Sequence, residues 1–130
     1  GRWYEIARFD HRFERDMSDI TATYTLLDDG KIEVVNRGIR NGKPVEARGK
    51  AKTTDIPGRL RVSFFWEFYS DYNILAMGPD GGWVLIGSKS PNYLWIMSRT
   101  PHLDTATLGH IIALAKARGY DTDKLIIDND

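Results

Sequence analysis

The side chains with chemistry to offer are few: three histidines, a glutamate set in an apolar stretch, and many aromatic rings. His11, His102 and His110 fall in a loop, ahead of a helix and inside it, and share no metal-ligand spacing. Each reads as a solvated or singly hydrogen-bonded imidazole, and no metal is expected. Cysteine is absent, which removes thiolate nucleophiles, disulfides and Cys-ligated metals. A Gly-x-Ser-x-Gly elbow, a Walker loop and a dinucleotide glycine pattern are missing too, and Gly81-Gly82 is a turn. Glu5 is a candidate buried carboxylate, but a lone carboxylate is not an acid–base pair. No catalytic residue and no cofactor is expected, and the chain reads as a non-enzyme. What these side chains can do is hold something apolar, since 4 Trp, 6 Tyr and 5 Phe make 12% of 130 residues.

Those rings need a scaffold, and the length allows one domain, residues 1–130. With 42% hydrophobic and 28% charged residues the composition is that of an ordinary globular chain. Lys and Arg number 18 against 18 Asp and Glu, a neutral balance that argues against a nucleic-acid partner. No stretch approaches the ~20 apolar residues of a membrane-spanning helix.

Turn signals recur at Asp28-Asp29-Gly30, Asn41-Gly42, Pro57-Gly58, Pro79-Asp80-Gly81-Gly82 and Ser90-Pro91-Asn92. Between them lie short runs of alternating polarity, clearest in Val45-Glu46-Ala47-Arg48-Gly49-Lys50-Ala51-Lys52. The runs predict strands at 3–9, 21–27, 32–37, 45–52, 59–64, 72–77, 83–86 and 93–98. From Asp104 to Gly119 the period changes, with Leu108, Ile111, Ile112 and Ala115 on one helical face. Asp104 or Thr105 caps that helix, and Lys124–Ile127 reads as a short ninth strand. The fold class is all-β. Eight antiparallel strands in sequence order remove their exposed edges by closing into an up-and-down barrel, with the helix packed outside. Eight strands enclose either side chains or one small ligand, and walls rich in Ala and Gly favour the ligand.

Gly1-Arg2-Trp3-Tyr4-Glu5-Ile6-Ala7-Arg8 resembles the Gly-x-Trp signature that opens the first lipocalin strand. Tyr93-Leu94-Trp95-Ile96-Met97-Ser98-Arg99 resembles the family's last barrel strand with its signature Arg. Phe9-Asp10-His11-Arg12-Phe13-Glu14-Arg15, Thr21-Ala22-Thr23-Tyr24 and Val62-Ser63-Phe64-Phe65 are similar to the bacterial, Blc-like outer-membrane lipoprotein subgroup, related to apolipoprotein D. The middle Thr-Asp-Tyr motif of the family is absent. The resemblance implies a setting in the bacterial outer membrane or periplasm, and membrane association through a lipid anchor upstream of Gly1. It also implies that Tyr69 and Trp95 lie near the polar end of a bound ligand.

With Trp3 at the closed end, alternating hairpins put residues 10–19, 39–44, 66–71 and 88–92 at the open mouth. Residues 28–30, 56–58, 78–82 and Arg99 fall at the base, where Arg99 and Trp3 meet as a structural guanidinium–indole pair. Alternation from Trp3 directs Glu5, Ala7 and Phe9 inward, and charged neighbours direct Ala47 and Phe64 inward. Tyr93, Trp95 and Met97 share the inward face of the last strand, and Tyr24, Val34 and Asn36 complete the lining. This mostly apolar wall suits a small hydrophobic molecule such as a fatty acid or lysophospholipid, bound for storage or transport, and the resemblance implies that this serves membrane lipid maintenance. The alternatives are a lipid- or isoprenoid-modifying enzyme using Glu5 or Tyr69, and a tetrapyrrole (haem) binder using His11. Trp66, Phe68 and Tyr69, placed in a mouth loop, form a candidate ligand gate, membrane contact or homodimer patch.

Overall fold

Strand-forming residues punctuated by tight turns produce nine strands and one α-helix among the described residues of the computed structural model. It describes residues 1–9, 17–53, 59–65, 68–88 and 91–127, with backbone alone at 59–65 and 68–72. The strands are β1 (Arg2–Phe9), β2 (Met17–Leu26), β3 (Ile32–Arg40), β4 (Lys43–Thr53), β5 (Arg59–Phe65), β6 (Phe68–Met77), β7 (Trp83–Gly87), β8 (Leu94–Ser98) and β9 (Leu125–Ile127). The helix α1 (Thr105–Ala117) lies between β8 and β9. The hairpin joining β3 to β4 turns on Asn41 and Gly42, whose φ values of 53° and 76° are the paired positive angles of a twist-matched two-residue turn.

Each strand from β1 to β8 pairs antiparallel with the next, and β8 pairs back with β1. The ladder thus returns to its start, as expected of an up-and-down barrel. β9 adds to β1 with Ala7 opposite Ile127.

The two faces of the sheet bury different sets of residues, as a period of two requires. From β7 and β8, Trp83, Leu85, Leu94 and Ile96 pack with Ile111 and Ala115 of α1, outside the barrel. The alternate residues Val84, Ile86 and Met97 pack with Ala22, Trp3, Tyr24 and Trp95, inside it. A second internal cluster joins Val34 and Ala51 to Tyr24 and Ile32.

β2 and β6 each begin four residues earlier than their polarity pattern predicts. β2 starts at Met17 because a bulge between Ser18 and Thr21, with Asp19 at φ 52°, interrupts the alternation that marks a strand. β6 starts at Phe68, so Phe68 and Tyr69 belong to a strand rather than to a mouth loop. Trp66 and His11 lie outside the described residues.

Candidate functional site

The inner wall is best defined on β3 and β4, where the outer neighbours identify themselves by their ion pairs. Arg37 Nε donates to Glu46 Oε2 at 2.9 Å and Arg48 Nε to Glu46 Oε1 at 3.0 Å, while Arg48 Nη1 stands 3.7 Å from Glu33. The hydrogen bond from Arg37, more than the charges of Arg37 and Arg48, holds the Glu46 carboxyl below its ordinary pKa. With these groups outside, the intervening residues face inward. Val34 stands opposite Gly49, and Asn36 opposite Ala47. Ala47 is nevertheless exposed, and Asn36 and Gly49 are half-buried, whereas Val34 and Ala51 are buried. An inward alanine open to solvent marks space that no described side chain fills.

The opposite wall is filled. Trp95 pairs with Ile86, and Met97 with Val84, and all four face the interior. Tyr93 stacks on Trp95 with ring centroids 5.9 Å apart and planes at 19°. Tyr24, half-buried, joins both internal clusters. The interior therefore brings together Tyr24, Val34, Asn36, Ala47, Trp95 and Met97 from the expected lining, with Tyr93 stacked beside them. Phe64 and Tyr69 are placed by backbone in β5 and β6, and their side chains lie outside the described residues.

Ala7 and Phe9 are not inward, which corrects the alternation drawn from Trp3. β1 bulges between Glu5 and Ala7, so that Glu5 opposes Met97, Ala7 opposes Ile96 and Arg8 opposes Trp95. The extra residue turns Ile6 and Ala7 to the same outer side and reverses every face beyond it. Phe9 accordingly meets Tyr120 edge-on outside, at 6.2 Å between ring centroids. Arg8 is turned inward instead, a residue that strict alternation places on the surface. Its Nη1 lies 3.7 Å from Glu5 Oε1, both side chains being 3% exposed, and its Nη2 donates to the Met17 carbonyl at 2.9 Å. Glu5 is thus not a lone carboxylate. Its partner is a guanidinium, so the two form an ion pair rather than an acid and a base.

At the base, the Arg99 guanidinium carbon lies 3.9 Å from the centroid of the Trp3 ring. Arg99 Nη1 donates to the Arg2 carbonyl at 3.1 Å, and its backbone N–H to Gly82 at 2.9 Å. Gly1 and Tyr24 exchange hydrogen bonds beside them. These contacts tie the beginnings and ends of β1, β2, β7 and β8 together. His102 is exposed, and exposed His110 of α1 meets the edge of Trp83 on the outer side. Among the described residues no group of three or more His, Cys, Asp or Glu could hold a metal ion, and no helix is long and apolar enough to cross a membrane.

The lipocalin-like domain family matches residues 1–130. Outer membrane lipoprotein Blc of Escherichia coli K12 is 44% identical over 130 residues, 97% of this chain and 73% of that protein. Temperature-induced lipocalin-1 of Arabidopsis thaliana is 39% identical over 136 residues, 96% of this chain and 73% of that one. Mouse apolipoprotein D is 29% identical over 139 residues, covering 96% and 71%. Among solved structures, lobster apocrustacyanin A1 superposes with a TM-score of 0.81 at 18% identity, covering 100% of this chain and 76% of that one. Eight strands each paired with the next, the last paired back with the first, and a family match that runs over residues 1–130 make this chain a member of the lipocalin family.

Proposed function

We propose that the protein binds a small amphiphile, such as a fatty acid or lysophospholipid, inside the barrel for storage or transport in the bacterial cell envelope. The observation that carries this reading is the exposure of Ala47 on an inward face, opposite half-buried Asn36. The facing wall is aromatic and aliphatic, so an acyl chain finds apolar contact on one side and room on the other. Each buried methylene contributes ~0.8 kcal/mol, and half a chain already gives useful affinity. Asn36 offers a polar handle near that space, and the Trp3–Arg99 pair closes the base. The envelope setting follows the names of the bacterial relatives, outer membrane lipoproteins, and a role in membrane lipid maintenance is the further part of this proposal.

The test is a titration of a fluorescent fatty acid and a fluorescent lysophospholipid, following energy transfer from tryptophan. Saturation at one ligand per chain, weakened in Trp95→Ala, is the expected result. Failure of both probes to saturate overturns the reading, as does a Trp95→Ala variant indistinguishable from the parent. Mass analysis of lipid extracted from the purified protein names the ligand.

A further inference from the structure

Two strands share one edge of β1. β8 pairs with β1 from Tyr4 to Arg8, so β2 at Arg2–Tyr4 and β9 at Ala7–Phe9 both occupy the other edge. Among the described residues the β1–β2 ladder stops at Tyr4 and Thr21. Extended, that register would set Arg8 opposite Met17, but the backbone of Arg8 is paired with Ile126 instead. What crosses from Arg8 to Met17 is a side chain: Nη2 donates to the Met17 carbonyl at 2.9 Å. Both strands are irregular here, β1 between Glu5 and Ala7 and β2 between Ser18 and Thr21. The wall therefore has a seam in which a guanidinium takes the place of a ladder.

We propose that this seam is a lateral portal into the barrel and that Arg8 is the latch that holds it shut. The proposal rests on the amphiphile-binding reading for its purpose, though not for its physics. A ladder opens only by breaking several backbone hydrogen bonds together, while among the described residues this stretch is crossed by a side-chain hydrogen bond in place of backbone ones, so this is where the wall parts at least cost. Glu5 makes the latch specific. Its carboxylate keeps the guanidinium inside the wall, and the fork geometry turns the second nitrogen toward Met17. Parting β2 from β1 at Met17–Ile20 opens the wall beyond the Tyr4–Thr21 end of their ladder, which suits a chain-like ligand entering sideways. Arg8 acts through the wall and is a positioning residue.

The test pairs Arg8→Met with Glu5→Gln, so that no buried charge is left alone, and reads two quantities in the full chain. Without ligand, amide exchange at Ser18–Ile20 accelerates by about tenfold or more relative to β3 and β4, since the charge-assisted hydrogen bond to the Met17 carbonyl is lost. With a fluorescent fatty acid in stopped flow, association and dissociation both quicken by about tenfold while Kd changes by less than about twofold. Arg8→Lys, which keeps the charge beside Glu5 but not the fork, shifts the same quantities in the same direction and serves if the double variant does not fold. Exchange that quickens equally in all strands, or binding rates equal to the parent's, overturns the portal. If the parent binds no probe, the amphiphile reading fails, and the exchange measurement alone decides the latch.

Discussion

Met17 and Ile20 of β2 approach Gly38 of β3 so closely that a Cβ there would stand 2.6 Å from Met17 Cε and 3.2 Å from Ile20 Cγ1 and the Ser18 carbonyl oxygen. The Met17 side chain can swing aside, but the Ser18 backbone sits in the bulge and cannot. Gly38→Ala is expected to destabilise the protein by about 1–3 kcal/mol, read as a lower urea midpoint at unchanged slope. Gly38 lies one residue beyond the strand predicted at 32–37, and its neighbours are not legible either, because Met17–Ile20 show no alternation. The same limit applies to Arg8. Its type and position mark it as a surface residue of a regular strand, and only a bulge, which leaves no signature in the polarity pattern of β1, turns it inward and sends Ala7 and Phe9 out. Trp3 and Arg99 were easier, since both lie at strand ends where hairpin parity alone decides which end of the barrel they share.

At the scale of elements, α1 was the most legible part of the chain, because its cap, its apolar stripe and its length are all local. Asp104 caps it, Oδ2 accepting from the Thr107 N–H at 3.2 Å and Oδ1 from the Thr107 hydroxyl at 2.5 Å. The hydroxyl bond, then the backbone bond, lower the Asp104 pKa. A carboxyl lowered in the folded state adds stability above its unfolded pKa and loses it as pH falls through the folded one. Asp104→Ala should therefore reduce the thermal midpoint at neutral pH by roughly 2–6 °C. Calorimetry across acid pH should show that gap closing as the parent's carboxylate takes its proton. Ile111, wholly buried between α1 and the outer faces of β7 and β8, reports the docking of the helix itself. Ile111→Ala is expected to cost about 2–5 kcal/mol in denaturant unfolding, and β9, which follows α1 in the chain, should show faster amide exchange than β3.

The whole molecule is lopsided across its barrel, and that asymmetry yields the sharpest test of where a ligand lies. Four positions round the ring from β7 and β8, whose inward Ile86, Trp95 and Met97 fill their half, β3 and β4 offer Asn36, Ala47 and Gly49. Ala47 is exposed, so enlarging it disturbs little of the described packing, and a loss of binding at unchanged thermal midpoint reports occupied space rather than a damaged fold. Ala47→Trp should weaken a fluorescent fatty acid by at least about tenfold, since several methylenes lose their place at ~0.8 kcal/mol each, with little change in thermal midpoint. Glu46→Ala, on the outer face of the same strand, should alter neither the affinity nor its stoichiometry. If the Ala47 variant binds like its parent, the ligand does not occupy the β3–β4 half. The inward aromatic wall of β8 then carries it alone, and Trp95→Ala becomes the variant that removes binding.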